Sequence, residues 1–136
     1  MPISETMPDH LLDYCREHSR ENSPLLMDLE KYTLANEDVP QMISGQLVGN
    51  FLQTIIQITR SKKIVEVGMF TGFSALKMAE MLPDNGEIHT CEIMEKHVQT
   101  AQSFFDKSDH GSKIIIHAGP ALQSLEQMKT GSFDMA

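Results

Sequence analysis

The pattern of apolar and polar positions divides the chain near residue 60 into a helical part and an alternating part. Before residue 60, apolar residues recur at three- and four-residue intervals, which is typical of amphipathic helices. After it, short apolar runs typical of buried strands alternate with helical segments. We therefore predict one domain over 1–136, with an amino-terminal helical segment at 1–60 and the first half of a wound sheet at 61–136.

Three helices are predicted before residue 60. Asp9 can cap a first helix that runs to about Ser19. Ser23 and Pro24 form a cap and first-turn pair for a second helix, which runs to about Ala35. The third helix spans about 44–60, and its apolar stripe consists of Val48, Phe51, Leu52, Ile55 and Ile56.

The second part of the chain predicts strands and helices in strict alternation. The predicted strands are 63–67, 87–91, 113–117 and, as the first residues of a fourth, 133–136. The helices between them are predicted at 73–82, 96–107 and 120–129. This order with short connections predicts a parallel sheet wound with right-handed crossovers. The fold class is therefore α/β, a doubly wound parallel sheet represented here by strands one to three and the start of strand four.

The loop after the first predicted strand differs from a dinucleotide-binding fingerprint. Gly68 and Gly72 are four residues apart, and the middle glycine of G-x-G-x-x-G is absent. Glu66 lies two residues before the first glycine, where a carboxylate would repel a pyrophosphate but attract the ammonium of a cofactor that carries an amino acid. Ser74, at the start of the next helix, is placed to hold that cofactor's carboxylate. A carboxylate within an apolar strand costs stability unless it is paired, which favours a binding role for Glu66.

The second and third loops add compatible features. Glu92 ends the second predicted strand, 92 − 68 = 24 residues after Gly68. An acidic residue binds ribose hydroxyls at a spacing of about 20 residues in nucleotide-binding α/β folds. The third loop, 118–122, combines a tight turn with a helix start and suits contact with a flat base. Because ligands bind beyond the carboxyl ends of parallel strands, we expect these loops to form one site.

Three segments of the chain together resemble the caffeoyl-CoA and catechol O-methyltransferase-like family of class I, S-adenosylmethionine-dependent enzymes. They are KIVEVGMFTGFSALKMA at 63–79, HTCEIMEKH at 89–97 and AGPALQSL at 118–125. The upstream segment 40–44 also resembles the part of that family that covers the cofactor. The resemblance spans about 30–136 and implies the Rossmann-like sheet of class I methyltransferases.

The resemblance implies S-adenosylmethionine as the cofactor and assigns contacts to the three loops. Glu66 would face the amino group of the cofactor's methionine part, and Ser74 would hold its carboxylate. Glu92 would bind the ribose, and Ala121 would lie on the adenine side. Gly68 would form the floor of the site.

Four further cofactor contacts are implied near the methionine end. Phe70 and Thr71 follow Gly68 and belong to the same floor. Ser44 would touch the methionine end, and Met42 lies in the covering segment. The predicted cofactor site therefore joins the segment before the third helix to the loop after the first strand.

The function implied by the resemblance is transfer of a methyl group to a phenolic, catechol-like hydroxyl of a small molecule. A divalent metal (Mg, Ca or Mn) would assist in the full-length protein, and the protein would be a homodimer. The metal ligands and catalytic residues are expected beyond Ala136, so none is assigned here and the 136-residue chain alone is expected to be inactive. Two alternatives stay open: a non-catalytic cofactor-binding fragment or subunit, and a nucleotide-cofactor oxidoreductase.

Composition changes this picture only by exclusion. The net charge of −8 argues against nucleic acid as a partner, since phosphate contacts need clustered Lys and Arg. Two cysteines, Cys15 and Cys91, are too few for a disulfide framework or a zinc motif, and the six His show no metal-binding spacing. No signal peptide or membrane-spanning stretch is evident, so we predict a cytoplasmic protein without a membrane partner.

Overall fold

Six α-helices and three β-strands follow one another along residues 8–136, the part of the chain that the computed structural model describes. They are α1 (Asp9–Glu17), α2 (Pro24–Asn36), α3 (Gly45–Thr59), β1 (Lys63–Val67), α4 (Phe73–Ala79), β2 (Glu87–Glu92), α5 (Glu95–Phe105), β3 (Ile114–Ala118) and α6 (Ala121–Gln127). Short 3-10 turns occur at Pro40–Met42 and Gly111–Lys113. The six predicted helices and the first three predicted strands are present in the predicted order, with bounds that differ from the prediction by no more than three residues. Of the fourth strand predicted at 133–136, Met135 alone forms a bridge.

The sheet is parallel, with the strand order β1-β2-β3. On the other side of β1, Met135 forms a parallel bridge with Ile64, and the Val65 N–H donates to the Met135 carbonyl at 3.0 Å. The direction of strand addition therefore reverses at β1. This topology confirms the doubly wound parallel sheet, and Met135 lies within the predicted start of a fourth strand.

The two faces of the sheet are covered by different helices. On one face, Ile64, Ile88 and Ile114 pack against buried residues of α3 and α4. Ile114 and Ile116 also contact the cluster that contains the buried aromatic residues of α5. The other face carries Cys91, beside Ser124 of α6. Right-handed crossovers account for this arrangement, because the connection through α6 leads back across the sheet to the far side of β1.

Helix α3 buries a different line of residues from the apolar stripe predicted for it. Ile56 is buried at 2% exposure, whereas Val48 is 40% and Phe51 63% exposed, so only part of the predicted stripe faces the core. The helix instead packs along the line Gly49, Gln53 and Ile56, which are all buried. Gly49 allows this approach because an added Cβ there would lie 2.7 Å from the side chain of Lys77 on α4. None of the helices in residues 8–136 combines the length and apolar character needed to cross a membrane.

Candidate functional site

The loop between β1 and α4 contains three residues with positive φ angles. Gly68, Phe70 and Gly72 have positive φ angles of 90°, 54° and 94°. Glycine adopts such angles at little cost, but for Phe70 the left-handed region is unfavourable. The N–H groups of Gly68 and Met69 both donate to the Cys91 carbonyl, at 3.0 and 3.1 Å. These bonds fix the loop against the end of β2.

The carboxylate of Glu92 holds the rest of this loop. Its Oε2 accepts a hydrogen bond from the Phe70 N–H at 2.8 Å, and its Oε1 accepts one from the Met94 N–H at 2.9 Å. Glu92 is only 7% exposed, so these charge-assisted bonds offset the burial of its negative charge. Each carboxylate oxygen can accept more than one hydrogen bond. Glu92 can therefore organise the loop and still receive a hydroxyl from a ligand.

Glu66 lies at the end of β1, on the same face of the sheet as Thr90 and Glu92. Its Oε1 accepts from the Ser74 hydroxyl at 2.5 Å, and its Oε2 accepts from the Thr90 hydroxyl at 2.6 Å. Burial raises the pKa of Glu66, the two hydroxyl bonds lower it in part, and the negative charge of Glu92 raises it further. A ligand cation beside Glu66 would therefore stabilise its ionised form.

The raised pKa of Glu66 predicts a specific pH dependence of stability. A carboxyl whose pKa is higher in the folded state contributes stability that is fully present below its unfolded-state pKa, and this stability is lost as pH rises through the folded-state pKa. The free energy of unfolding of the ligand-free protein, relative to its Glu66→Gln variant, should thus fall as pH rises from about 4. Urea titrations at several pH values measure it, with the exposed Glu126→Gln as control. A pH-independent difference between wild type and Glu66→Gln would contradict the assigned environment.

A narrow pocket lies between the covering segment and the loop after β1. Its lining includes Met42 and Ser44 from one side and Gly68, Phe70 and Ser74 from the other; the remaining residues are Ile43, Met69 and Phe73. The pocket has a volume of about 30 Å³, far below the roughly 300–1,000 Å³ of a typical small-molecule site. It can therefore enclose only a small part of a cofactor-sized ligand.

The two glycines of the loop serve different purposes. A Cβ built on Gly72 would lie 2.7 Å from the Phe105 ring and 2.9 Å from Ala101, so this glycine lets α5 pack against the loop. A Cβ built on Gly68 would meet no atom within 4 Å. The space in front of Gly68 is open, as the approach of a ligand to the backbone requires.

Four predicted contact residues lie outside the pocket lining: Glu66 and Glu92, described above, Thr71 and Ala121. Thr71 is fully buried, and its hydroxyl is 2.8 Å from the Thr33 hydroxyl on α2, so neither its side chain nor its backbone is exposed to a ligand in this structure. Ala121 is the first residue of α6 and does not line the pocket. The loop before Ala121 contacts the site at Gly119, whose N–H donates to the Glu92 carbonyl at 2.8 Å. The cofactor roles of all nine predicted residues stay predictions.

Three residues of this site were not among the predicted ones. Thr90 bonds Glu66, and strand alternation could have indicated it, because residues two apart on a strand share a face. Glu37 and His97 form a contact that reaches Glu92: Glu37 Oε2 is 3.3 Å from His97 Nε2, and His97 Nδ1 is 3.6 Å from Glu92 Oε1. Glu37 and His97 lie 60 residues apart, and no local pattern links them.

Metal ligands are not grouped in the described part of the chain. Residues 8–136 contain no cluster of three or more His, Cys, Asp or Glu side chains arranged to hold a metal ion. The prediction placed the metal ligands beyond Ala136, and it stays a prediction.

The wound parallel sheet, with an open glycine loop and two acidic residues at its carboxyl edge, defines a Rossmann-like ligand-binding domain. A family model described as O-methyltransferase matches residues 16–136, and the chain belongs to this family. This result confirms the resemblance noted from the loop segments.

Curated relatives are similar along most of this chain. The O-methyltransferase ankF of Aspergillus thermomutatus is 32% identical over 136 residues, which cover 99% of this chain and 57% of the relative. A catechol O-methyltransferase of Niastella koreensis is 35% identical over 106 residues, covering 76% of this chain and 48% of the relative. The chain thus spans about half the length of the curated relatives it matches.

Solved structures support the same fold. The SAH-bound methyltransferase PaMTH1 of Podospora anserina superposes with a TM-score of 0.84 and 25% identity, over 95% of this chain and 56% of that one. The O-methyltransferase from Bacillus cereus, solved in complex with SAH, gives a TM-score of 0.80 and 26% identity, over 91% and 59% of the two chains. The fold of the described residues is therefore that of a class I methyltransferase.

Proposed function

We propose that the protein binds S-adenosylmethionine and transfers its methyl group to a hydroxyl of a small phenolic, catechol-like molecule. Membership of the O-methyltransferase family supports methyl transfer, and the structural neighbours solved with SAH support the cofactor. A relative named catechol O-methyltransferase supports the substrate class. The observation that carries the proposal is the arrangement of Glu66, open Gly68 and Glu92 along one edge of the sheet.

The residues present fit this cofactor. Glu66 offers a desolvated carboxylate to the amino group, and the open side of Gly68 admits the methionine part close to the backbone. Ser74 lines the pocket at the start of α4 and would hold the cofactor's carboxylate, its hydroxyl turning there from Glu66. Glu92 accepts the ribose hydroxyls.

The chain's own residues contribute binding, orientation and exclusion of water. When bound, the cofactor supplies a methyl group on a positively charged sulfur, which is already activated for transfer. The side chains of Met42 and Ser44 lie across the pocket from Gly68 and shield the methionine end from solvent. Fixing the donor in this way lowers the entropic part of the barrier for attack by the substrate oxygen.

The proposal includes assistance by a divalent metal. The side chains in residues 8–136 form no cluster that fits a metal ion. The groups that hold the metal and take the proton from the substrate hydroxyl are assigned to sequence after Ala136.

Binding measurements test the proposal against the oxidoreductase alternative. We expect the complete gene product to bind S-adenosylhomocysteine in calorimetry and to gain stability by mass action, about 2.7 kcal/mol at a ligand concentration 100 times the Kd. NAD should bind weakly, because Glu66 repels a pyrophosphate and the middle glycine is absent. Transfer of labelled methyl to a catechol then measures activity.

The outcomes separate the alternatives. Tight NAD binding with no S-adenosylhomocysteine binding would overturn the proposal in favour of an oxidoreductase. Cofactor binding without methyl transfer to any phenol would instead favour the non-catalytic subunit.

A further inference from the structure

Two buried carboxylates of the site are bridged by one imidazole. His97 on α5 is 7% exposed, and its Nε2 lies 3.3 Å from Oε2 of Glu37, just after α2. Its Nδ1 lies 3.6 Å from Oε1 of Glu92 at the end of β2. The Glu37 side chain is 4% exposed and the Glu92 side chain 7% exposed. The imidazole is thus within ion-pair distance of a carboxylate on each side.

The negative charge of Glu37 is stabilised by two side chains, Lys96 and His97. Burial raises the pKa of Glu37, but Lys96 and then His97 outweigh this effect and hold the pKa below its usual value. Lys96 Nζ donates to Oε2 at 2.8 Å, while Oε1 has no hydrogen-bond partner within residues 8–136. A buried carboxylate is costly when its compensation is removed. Loss of His97 would leave Lys96, which is exposed, as the compensating cation among the described residues.

His97 also contacts the loop that frames the cofactor pocket. The Phe70 ring packs edge-on against the imidazole, with a centroid distance of 4.7 Å and an interplanar angle of 80°. The Phe70 N–H is the group that Glu92 holds. Glu37 is three residues before Pro40, where the covering segment begins. His97 therefore touches the acidic residue at the ribose end, the glycine loop and the base of the covering segment.

We propose that His97 is a positioning residue for the cofactor, which orients the Glu92 carboxylate towards the ribose and ties it to Glu37 at the base of the covering segment. The proposal rests on the proposed function, because it concerns the same cofactor. It assigns to His97 no contact with the substrate or with the transferred methyl group. Its effect is on cofactor affinity, exerted through Glu92 and the covering segment.

The chemistry of imidazole sets how many carboxylates it can serve. An imidazolium has two N–H donors and serves Glu37 and Glu92 together, whereas a neutral imidazole has one and serves a single carboxylate. The charged groups that face His97 are Glu37, Glu92 and, through Glu37, Lys96. Removal of the donors of His97 should therefore weaken cofactor binding.

The test is the affinity of the complete gene product and its His97 variants for S-adenosylhomocysteine. His97→Phe keeps a ring against Phe70 but removes both donors, so we expect the Kd to rise about tenfold. His97→Asn places an amide N–H near the position of Nδ1, towards Glu92, and should recover more affinity than His97→Gln, whose amide points to Glu37. All three should change the Kd for the cofactor more than they change kcat at saturating cofactor.

His10→Gln, an exposed position on α1, controls for the loss of a histidine. His97→Phe with wild-type affinity would overturn the proposal, and so would a fall in kcat without a change in Kd. If His97→Phe does not fold, the order of the Asn and Gln variants decides, because a purely structural role gives no advantage to the donor facing Glu92. Failure of the wild type to bind S-adenosylhomocysteine would instead overturn the proposed function, and the inference with it.

Discussion

A Gly68→Val variant of the complete gene product is expected to lose S-adenosylhomocysteine binding by about a hundredfold or more, about 3 kcal/mol. The space beside the Gly68 α-carbon is open, and the proposed cofactor occupies it. A valine there would fill that space with two methyl groups. It would also be forced into the left-handed region at a φ of 90°, which β-branched residues avoid. Calorimetry gives the affinity, and thermal unfolding of the same sample gives the stability.

A control variant is needed to separate the two effects of Gly68→Val, which are backbone strain and occupation of the space for the ligand. Gly131, between α6 and the start of the fourth strand, also has a positive φ, 72°, and open space around a built Cβ. Gly131→Val should therefore carry a similar strain, about 1–2 kcal/mol, and bind the cofactor normally. Equal losses of affinity in the two variants, or normal affinity in folded Gly68→Val, would show that Gly68 serves only the turn.

Local sequence patterns were sufficient for the elements of the fold and for the loop after β1. The alternation of apolar strands and amphipathic helices predicted the parallel order, because such a sequence has few topologies open to it. Glu66 could be singled out because a carboxylate in an apolar strand is costly, and the structure shows how two hydroxyls reduce that cost. Phe51 was predicted in the apolar stripe of α3 but is exposed, because apolar periodicity does not determine which side of a helix packs against the neighbouring helix.

The contacts that complete the site could not be predicted, because they join distant parts of the chain. Thr33 meets Thr71 across 38 residues, and Glu37 meets His97 across 60. A histidine and an acid separated in this way occur in almost any sequence and carry no local signal. Thr90 is different, since its place two residues before Glu92 puts it on the same face of β2. The packing of α2 and α5 against the loop after β1, which no local pattern encodes, is the information that was missing.

The open side of β1 carries an apolar surface. A cavity of about 460 Å³ lies there, lined mainly by aliphatic side chains: Leu52, Ile64, Val65, Val67, Met78, Leu125, Met135 and Ala136, together with Glu66. Val67 is 62% exposed. In residues 8–136, Asp134 and Met135 pair with this edge of β1: the Asp134 N–H donates to the Lys63 carbonyl at 2.8 Å, and the Met135 carbonyl accepts from the Val65 N–H at 3.0 Å. An exposed strand edge with apolar side chains favours pairing with another chain.

Residues 1–136 prepared alone are therefore expected to self-associate through this surface and to show no methyl transfer. Light scattering after gel filtration measures the mass over a range of concentrations. Val67→Lys should shift the population towards monomer, because a charge at this exposed position on β1 opposes edge pairing. Val48→Lys, at a 40% exposed position on α3 away from the cavity, serves as the control and should leave the association unchanged. A monomer at all concentrations, or equal effects of the two lysines, would contradict this view, because the association would then not depend on the open side of β1.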